Sequence, residues 1–222
     1  MVEQYDSQGR DRRVKLYHFA PSTASLRVRI ALAHKRINYT KVSVSLALGE
    51  HREAAYQARN PQRLLPTLEL DDGRALVQSL PIIEYLEECY PDPPLMPADP
   101  YERSYVRAIA QMVACEMHPL NNMRVIKHLR NAFGVEQDVI NVAWAHPWLK
   151  DGFDAIEAVL LREALSGNFC LGHAFTIADI CVVGQAASAA RFGFSMQPYP
   201  QLTAIIGRCE ELAAVRAAKV ND

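Results

Sequence analysis

The sequence predicts two domains, an α/β domain built on a small mixed sheet followed by an all-helical domain. As far as residue 90, the hydrophobic pattern runs strand, helix, strand, then hairpin and helix, which is the order of a mixed sheet covered by helices. Beyond residue 100, apolar residues recur at helical spacing and no strand hairpin is found. The stretch 90–100 holds five of the 13 prolines of the chain, too many for a helix or strand to continue.

These patterns set the expected domain boundaries. Residues 1–12 are polar, contain a glycine and have no period, so we expect a disordered lead-in. The α/β domain follows over 13–90, a Pro-rich linker over 91–100, and the all-helical domain over 101–222.

The individual elements follow from the period of the apolar residues. Alternation predicts strands, the turn Asp-Asp-Gly at 71–73 predicts a hairpin, and apolar residues three or four apart predict helices. Thr176 and Asp179 have the spacing of a capping box, which marks the start of a helix rather than a functional site. Strands are predicted at 14–19, 38–45, 66–70 and 74–77, and helices at 25–35, 79–88, 101–131, 136–165, 176–192 and 199–218.

Bulk composition excludes several classes of protein. A 222-residue chain with 50% hydrophobic residues, 22% charged residues and a net charge of −1 is typical of a soluble globular protein, so we expect no nucleic-acid partner. The apolar stretches are shorter than the roughly 20 residues of a membrane span, and the N-terminus lacks the apolar core of a signal peptide. We therefore expect a cytoplasmic protein without a membrane partner. The five cysteines form no C-x-x-C pair and the seven histidines no H-E-x-x-H, which predicts neither a dithiol site nor a metal site.

Three hydroxyl residues, Ser22, Thr23 and Ser25, stand where the first predicted strand gives way to the first helix. The free amides and the dipole of a helix N-terminus favour an anion and lower the pKa of a thiol placed there. The chain has no cysteine at this point, and the nearest position for one is Ala24. The pattern therefore indicates a thiol brought by a ligand, with Ser22 at the sulfur and Thr23 or Ser25 capping the helix. A helix cap without a catalytic role is the alternative.

The motifs together resemble the cytosolic glutathione transferases, whose plan is a thioredoxin-like α/β domain, a Pro-rich linker and an all-α C-terminal domain. Within them the chain is similar to the zeta class, whose characteristic members are maleylacetoacetate and maleylpyruvate isomerases. The string S-x-x-x-x-R-V-R-I-A-L and the motif H-P-L-N-N point to that class. The resemblance covers nearly everything after residue 13 and is carried by 22–32, 60–67, 78–86, 118–124 and 178–200.

The resemblance implies that the thiol ligand is glutathione. Leu65-Pro66 resembles the cis-proline turn of thioredoxin-like folds, which exposes backbone groups that pair with an extended peptide. Gln78-Ser79 would offer side chains and free helix amides to the γ-glutamyl carboxylate. Taken singly, each is also typical of a strand-initiating proline or a helix cap, and their joint occurrence favours a site. The implied glutathione contacts are Ser22, Leu65, Pro66, Gln78, Ser79 and Asn121, and the implied catalytic residues are Ser22 and Thr23.

The implied reaction sets the requirements for a substrate site. A thiolate adds to a cis double bond conjugated with carbonyls, the resulting single bond rotates, and elimination returns the trans isomer with glutathione regenerated. The substrate's carboxylate and enolate oxygens require fixed cations, which the resemblance assigns to Arg124 and Arg191, with His118 nearby. His118 and Asn121 are expected on the same helix as Arg124. From the residues alone, Arg124 is equally a solvated helix residue and Arg191 a favourable charge near a helix C-terminus.

Several positions depart from the zeta pattern or stay outside the predicted site. Zeta enzymes often carry Ser-Ser-Cys at the position of 22–24, with an arginine just before it, where this chain has Pro21. Gly184 stands where a proline is usual. Arg27 and Arg29 are interpreted as structural, in salt bridges or at solvated positions.

Three functions are open at this point. The first is a glutathione-dependent cis–trans isomerase of a maleyl-type dioxo acid in aromatic catabolism, converting maleylacetoacetate to fumarylacetoacetate, or the related isomerase of maleylpyruvate. The second is a glutathione transferase or dehalogenase acting on small α-halo acids, and the third is a non-catalytic glutathione-binding protein. The resemblance also implies a homodimer.

Overall fold

Residues 14–219 are described by a computed structural model, and the predicted lead-in at 1–12 lies outside these described residues. They form two compact units. One unit contains residues 14–95 together with 212–219, and the other contains Met96–Glu211. Among the described residues, no helix is long and apolar enough to cross a membrane.

Most of the predicted elements are present. The strands are β1 (Val14–His18), β2 (Tyr39–Ser43), β3 (Thr67–Glu69) and β4 (Ala75–Val77). The helices are α1 (Thr23–His34), α2 (Ala54–Gln57), α3 (Ser79–Cys89), α4 (Pro100–Gln111), α5 (Met123–Phe133), α6 (Gln137–Val139), α7 (His146–Glu163), α8 (Ile177–Arg191), α9 (Pro200–Glu211) and α10 (Ala213–Lys219). A π-helical segment continues α4 over Met112–Met117, and a second one joins α6 to α7 over Ile140–Ala145.

The predicted mixed sheet is confirmed, with the strand order β2-β1-β3-β4. β1 and β2 are parallel and joined through α1, whereas β3 is antiparallel to both β1 and β4. Leu16 and Leu68 face each other across β1 and β3 and are fully buried. Thr67 pairs with Tyr17 on one side and with Val77 on the other. The segments after β1, before β3 and after β4 therefore emerge together at one end of the sheet.

Helix α1 is buried on every side, which is why its sequence looks apolar with little polar face. It packs against α3 and against α10. The sequence-based division extends the helical domain to residue 222, whereas α10 belongs to the first unit. The predicted helix at 199–218 is broken at Leu212 into α9 and α10. Apolar spacing shows that one face of a helix is buried, but it does not show which unit buries that face.

The start of the Pro-rich segment is held by a buried lysine at the end of α1. Lys35 is fully buried, and its ammonium donates to the carbonyls of Tyr90 at 2.6 Å and Pro93 at 3.0 Å. It also pairs with Glu87 at 2.6 Å, whose carboxylate accepts the amide of Leu95. The segment is thus ordered by specific bonds where composition indicated only a boundary.

In the helical unit, α8 is the central helix and packs against α4, α9 and the π-helical segment after α4. Its capping box is present, and the buried Asp179 carboxylate accepts from both the amide and the hydroxyl of Thr176. Glu157 on α7 caps the N-terminus of α9, because its carboxylate accepts the amides of Gln201 and Leu202 at 2.9 and 3.0 Å.

One helix prediction in this unit is wrong. The pattern at 101–131 predicts a single helix, but the chain leaves it at residue 118 and starts α5 at Met123. His118 keeps helical dihedrals (φ −60°, ψ −42°), but Pro119 has no amide hydrogen to continue the helical hydrogen bonds. Asn122 caps the new helix by accepting the amide of Arg124 at 3.0 Å. His118 and Asn121 therefore lie in the turn before α5 and not on the helix that carries Arg124.

Candidate active site

Ser22 lies at the N-terminus of α1, in the segment that leaves the end of β1. Its hydroxyl oxygen accepts the amide of Ser25 at 3.2 Å, so Ser22 itself is the helix cap. The expectation that Thr23 or Ser25 would cap in its place is wrong. A hydroxyl that accepts through a lone pair keeps its proton to donate, so capping leaves Ser22 able to donate to a thiolate.

The other two hydroxyls of this motif are less accessible than Ser22. Thr23 is the first residue of the helix and is 4% exposed, and Ser25 is fully buried with its oxygen 3.5 Å from the amide of Phe19. Ser22 is only partly buried. Ser22 is therefore the hydroxyl best placed to meet a ligand, and a direct catalytic role for Thr23 stays a prediction.

The Leu65-Pro66 peptide bond is cis, as the sequence predicts. The turn is held from behind by buried Tyr56 and Asn60. The Tyr56 hydroxyl donates to the Leu64 carbonyl at 2.6 Å, and the Asn60 amide donates to the same carbonyl at 2.8 Å. Within residues 14–219, the amide and carbonyl of Leu65 make no hydrogen bond, which leaves both available to an extended peptide.

Sequence reasoning assigned no role to Tyr56 or to Asn60. Both also contact the Thr67 hydroxyl, at 2.9 and 3.1 Å, so one network fixes the turn and the first residue of β3. Asn60 opens the motif Asn-Pro-x-x-Leu-Leu-Pro-Thr, and an asparagine close to a proline turn was the signal that the sequence offered.

Gln78-Ser79 forms the entry to α3 at the same end of the sheet. Gln78 has φ of 70° and ψ of 129°, a conformation that costs a non-glycine residue about 1–3 kcal/mol and that recurs at functional sites. Its side-chain amide donates to the Gln62 side chain at 2.7 Å. Ser79 begins an 11-residue helix whose first amides have no partner within the helix, an arrangement that suits a carboxylate.

Two arginines of α1 lie behind these segments, and the expectation of solvated positions for them is wrong. Arg27 is 1% exposed and donates to the Ser79 hydroxyl at 3.3 Å. Arg29 is 4% exposed and donates to the carbonyls of Ala218 and Ala20, each at 3.0 Å. Arg29 thus ties α10 to the segment before Ser22. The helical spacing of these arginines could not show whether their side chains would lie in the core or in solvent.

In the helical unit, His118 and Asn121 share the turn before α5, and Arg124 follows in its first helical turn. Asn121 is 6% exposed, and its side-chain amide makes no hydrogen bond to any of residues 14–219. Arg124 is exposed. A cation in the first turn of a helix opposes the helix dipole, so its position gains nothing in stability there and suits recognition of an anion.

Arg191 is the last residue of α8, where a cation is electrostatically favourable. Its side chain reaches solvent, yet partial burial among protein atoms lowers the pKa of its guanidinium. α8 packs against the π-helical segment that leads into the turn carrying His118. The structural and the substrate-binding interpretations of Arg191 are both compatible with this position.

Comparison with known proteins agrees with this geometry. Residues 16–94 match the family model described as glutathione S-transferase, N-terminal domain. A maleylpyruvate isomerase from a Ralstonia species is 44% identical over 205 residues, which cover 92% of this chain and 96% of that protein. The holo structure of a maleylpyruvate isomerase, a bacterial zeta-class glutathione S-transferase, has a TM-score of 0.90 at 43% identity and covers 94% of this chain and 99% of that one.

A second solved structure carries ligands. The maleylacetoacetate isomerase of Methylobacterium extorquens AM1, solved with bound malonate and glutathione, has a TM-score of 0.89 at 36% identity. It covers 92% of this chain and 95% of its own. TM-scores of 0.90 and 0.89 over more than 90% of this chain show that these proteins share its fold. The chain belongs to the zeta class of the glutathione S-transferase family, the class of the maleylpyruvate and maleylacetoacetate isomerases.

Proposed function

We propose that the protein is a glutathione-dependent cis–trans isomerase of a maleyl-type dioxo acid. The observation that carries the proposal is a partly exposed Ser22 hydroxyl at the N-terminus of α1, at the same end of the sheet as a cis-proline turn. The amide and carbonyl of Leu65 in that turn have no hydrogen-bond partner within residues 14–219. Membership of the isomerase class supplies the reaction type. Such a reaction belongs to the catabolism of aromatic compounds.

The residues of the first unit fit glutathione along its length. Ser22 donates its proton to the sulfur, and the dipole of α1 stabilises negative charge there. Leu65 pairs with the cysteinyl backbone through its amide and carbonyl. Gln78 and Ser79 receive the γ-glutamyl carboxylate at the start of α3. Each group is fixed by the fold before a ligand arrives, which lowers the entropic cost of binding.

The residues of the helical unit hold the substrate. Bound glutathione supplies a thiolate that adds reversibly to the conjugated double bond, so that the bond can rotate. Arg124 and Arg191 offer planar cations to the substrate's carboxylate and enolate oxygens, and His118 supplies a further polar group. Asn121, whose side-chain amide has no hydrogen-bond partner within residues 14–219, is a further proposed contact of glutathione.

Maleylacetoacetate is the first candidate substrate and maleylpyruvate the second. The 44% identity to a maleylpyruvate isomerase supports maleylpyruvate. Pro21 replaces an arginine common in the class and so removes one cation from the start of α1. The loss is expected to alter the preference between acids of different length rather than the thiol chemistry, because Ser22 is retained.

We further infer that the protein acts as a cytoplasmic homodimer. Transferases of this plan pair across a two-fold axis, and a net charge of −1 opposes association between copies only weakly. Light scattering at several concentrations would measure the mass of the particle. A monomer at all of them would contradict the dimer.

Incubation with maleylacetone or maleylpyruvate, with and without glutathione, tests the proposed function. Loss of the cis isomer is expected only when glutathione is present, and glutathione is expected to be recovered unchanged. Ser22→Ala should lower kcat/KM by roughly 100-fold, the usual effect of removing one hydrogen-bond donor to a developing anion. Absence of glutathione-dependent isomerisation of both acids would contradict the proposal, and halide release from dichloroacetate in that case would indicate a transferase.

A further inference from the structure

Arg27 is a buried cation that contacts Ser79, the residue proposed to bind the γ-glutamyl carboxylate of glutathione. It lies on α1, is 1% exposed, and its Nη1 donates to the Ser79 oxygen at 3.3 Å. The side chains join two helices that pack directly against each other, α1 and α3. Sequence reasoning and the proposed function assign Arg27 no part in the site.

The direction of this hydrogen bond limits what Ser79 can do. A guanidinium has only donors and stays protonated throughout the physiological range. Ser79 must therefore accept from Arg27, and its own proton remains for another acceptor. No side chain or backbone group among residues 14–219 takes that proton. An ionised carboxylate, which only accepts, is the matching ligand group.

Ser79 also stands at the start of a helix. Ser79 is the first residue of α3, and the preceding Gln78 has a positive φ of 70° that directs the chain into the helix. The first amides of α3 and the remaining proton of Ser79 are the donors that this helix start offers. A carboxylate here would receive donors only, with a fixed positive charge behind them.

We propose that Arg27 is a positioning residue that makes this end of the site selective for the γ-glutamyl carboxylate, by holding Ser79 as a donor. The inference rests on the proposed function, in which Ser79 binds that carboxylate. It gives α1 a role at two points of the tripeptide, the central cysteine and the γ-glutamyl residue. Ser22 lies at the sulfur and Arg27, five residues or about 7.5 Å farther along the helix, acts at the carboxylate.

The test compares glutathione with γ-aminobutyryl-cysteinyl-glycine. This peptide keeps the amine but lacks the carboxylate of the γ-glutamyl residue, and the carbon that carries that carboxylate is therefore no longer a stereocentre. Binding of each to the full chain is measured by isothermal titration calorimetry. The unmodified protein is expected to prefer glutathione by about 10-fold or more, the value of a hydrogen bond to a charged group. Arg27→Gln and Arg27→Lys are both expected to reduce this preference to within about 3-fold, because neither side chain reproduces the guanidinium geometry.

The ratio of the two affinities separates positioning from a general loss of structure. A destabilised site weakens both ligands equally and leaves the ratio unchanged, which would overturn the inference. Arg36→Gln, the same change at an exposed position just after α1, is the matched control and should keep the ratio of the unmodified protein. Ser79→Ala should lose the preference by itself, and adding Arg27→Gln to it should reduce the preference no further.

The outcomes also distinguish this inference from the proposed function. If the unmodified protein binds neither peptide, the proposed function fails. If it prefers glutathione and either folded Arg27 variant keeps that preference, the role of Arg27 fails alone. Lysine retains the charge in the core, so Arg27→Lys provides a folded variant should the glutamine variant unfold.

Discussion

Ser22 caps α1, and the same hydroxyl is proposed to bind the sulfur. Its oxygen accepts the amide of Ser25, so its proton can still be donated to an acceptor. The sequence pointed to Ser22 as the sulfur ligand but assigned the cap to its neighbours. Spacing could not decide this, because serine and threonine cap helices almost equally well. Burial of Thr23 and Ser25 is a tertiary effect that a local motif does not show.

The candidate residues of the helical unit were predicted less completely. His118, Asn121, Arg124 and Arg191 were assigned through resemblance, and their contributions are proposals. The local pattern failed after His118 because the apolar period continues across the turn, whereas Pro119 cannot donate a helical hydrogen bond and Asn122 caps a new helix. The Asn121 side-chain amide has no hydrogen-bond partner within residues 14–219, which became visible only in three dimensions.

Arg124 provides the residue-scale prediction. Arg124→Met is expected to raise the KM for a maleyl acid by about 10-fold or more, because a charge-assisted bond to the substrate carboxylate is lost. The dissociation constant for glutathione should change little. Steady-state kinetics and calorimetry measure the two quantities. Arg130→Met, the same change at an exposed position in the last turn of α5, is the control, and equal KM values for the two variants would contradict the assignment.

At the scale of single elements, the strands were predicted well because their turn residues and alternation are local signals. The ends of β1, β3 and β4 converge through the register at Thr67, which brings together motifs separated by more than 40 residues. The cis-proline turn was also predicted. Its support by Tyr56 and Asn60 was not, since two hydrogen bonds to one carbonyl depend on the folded position of α2.

β3 carries a carboxylate whose ionisation is linked to folding. Glu69 accepts from Lys15 at 2.9 Å, from Arg59 at 2.9 Å and from the Tyr17 hydroxyl at 3.1 Å. The Lys15 hydrogen bond foremost, with those of Arg59 and Tyr17, lowers the pKa of Glu69 from 4.5 to about 2. The ionised form thus ties β3 to β1 and to the segment before the cis-proline turn.

The sign of this shift predicts a pH dependence. A pKa lowered in the folded state stabilises the protein above the ordinary value of 4.5, and that stabilisation is lost as pH falls toward about 2. Glu69→Gln should therefore be less stable than the unmodified protein near neutral pH, and the difference should shrink progressively below 4.5. Urea unfolding at a series of pH values measures it. A difference that stays constant down to pH 3 would contradict the role of the charge.

At the scale of the molecule, composition and the proline cluster predicted an α/β part followed by a helical part, and the fold class is confirmed. The assignment of α10 to the first unit was not predictable, because the helix is separated from α1 by almost the whole chain. Arg29 shows the physical reason for this packing. Its buried guanidinium bonds to the carbonyl of Ala218 and so satisfies a helix end that would otherwise require water.

The central claim is that the first unit ionises a thiol that the chain itself does not provide. The ultraviolet absorbance of the thiolate, followed against pH for the protein with and without glutathione, gives the pKa of the bound thiol directly. We expect that pKa to fall from about 8.5 in solution to about 7 or below on binding. In Ser22→Gly, which keeps most of the capping free energy but has no hydroxyl, it should return toward the solution value. A bound thiol that titrates as in solution, or a Ser22→Gly variant that matches the unmodified protein, would contradict the account.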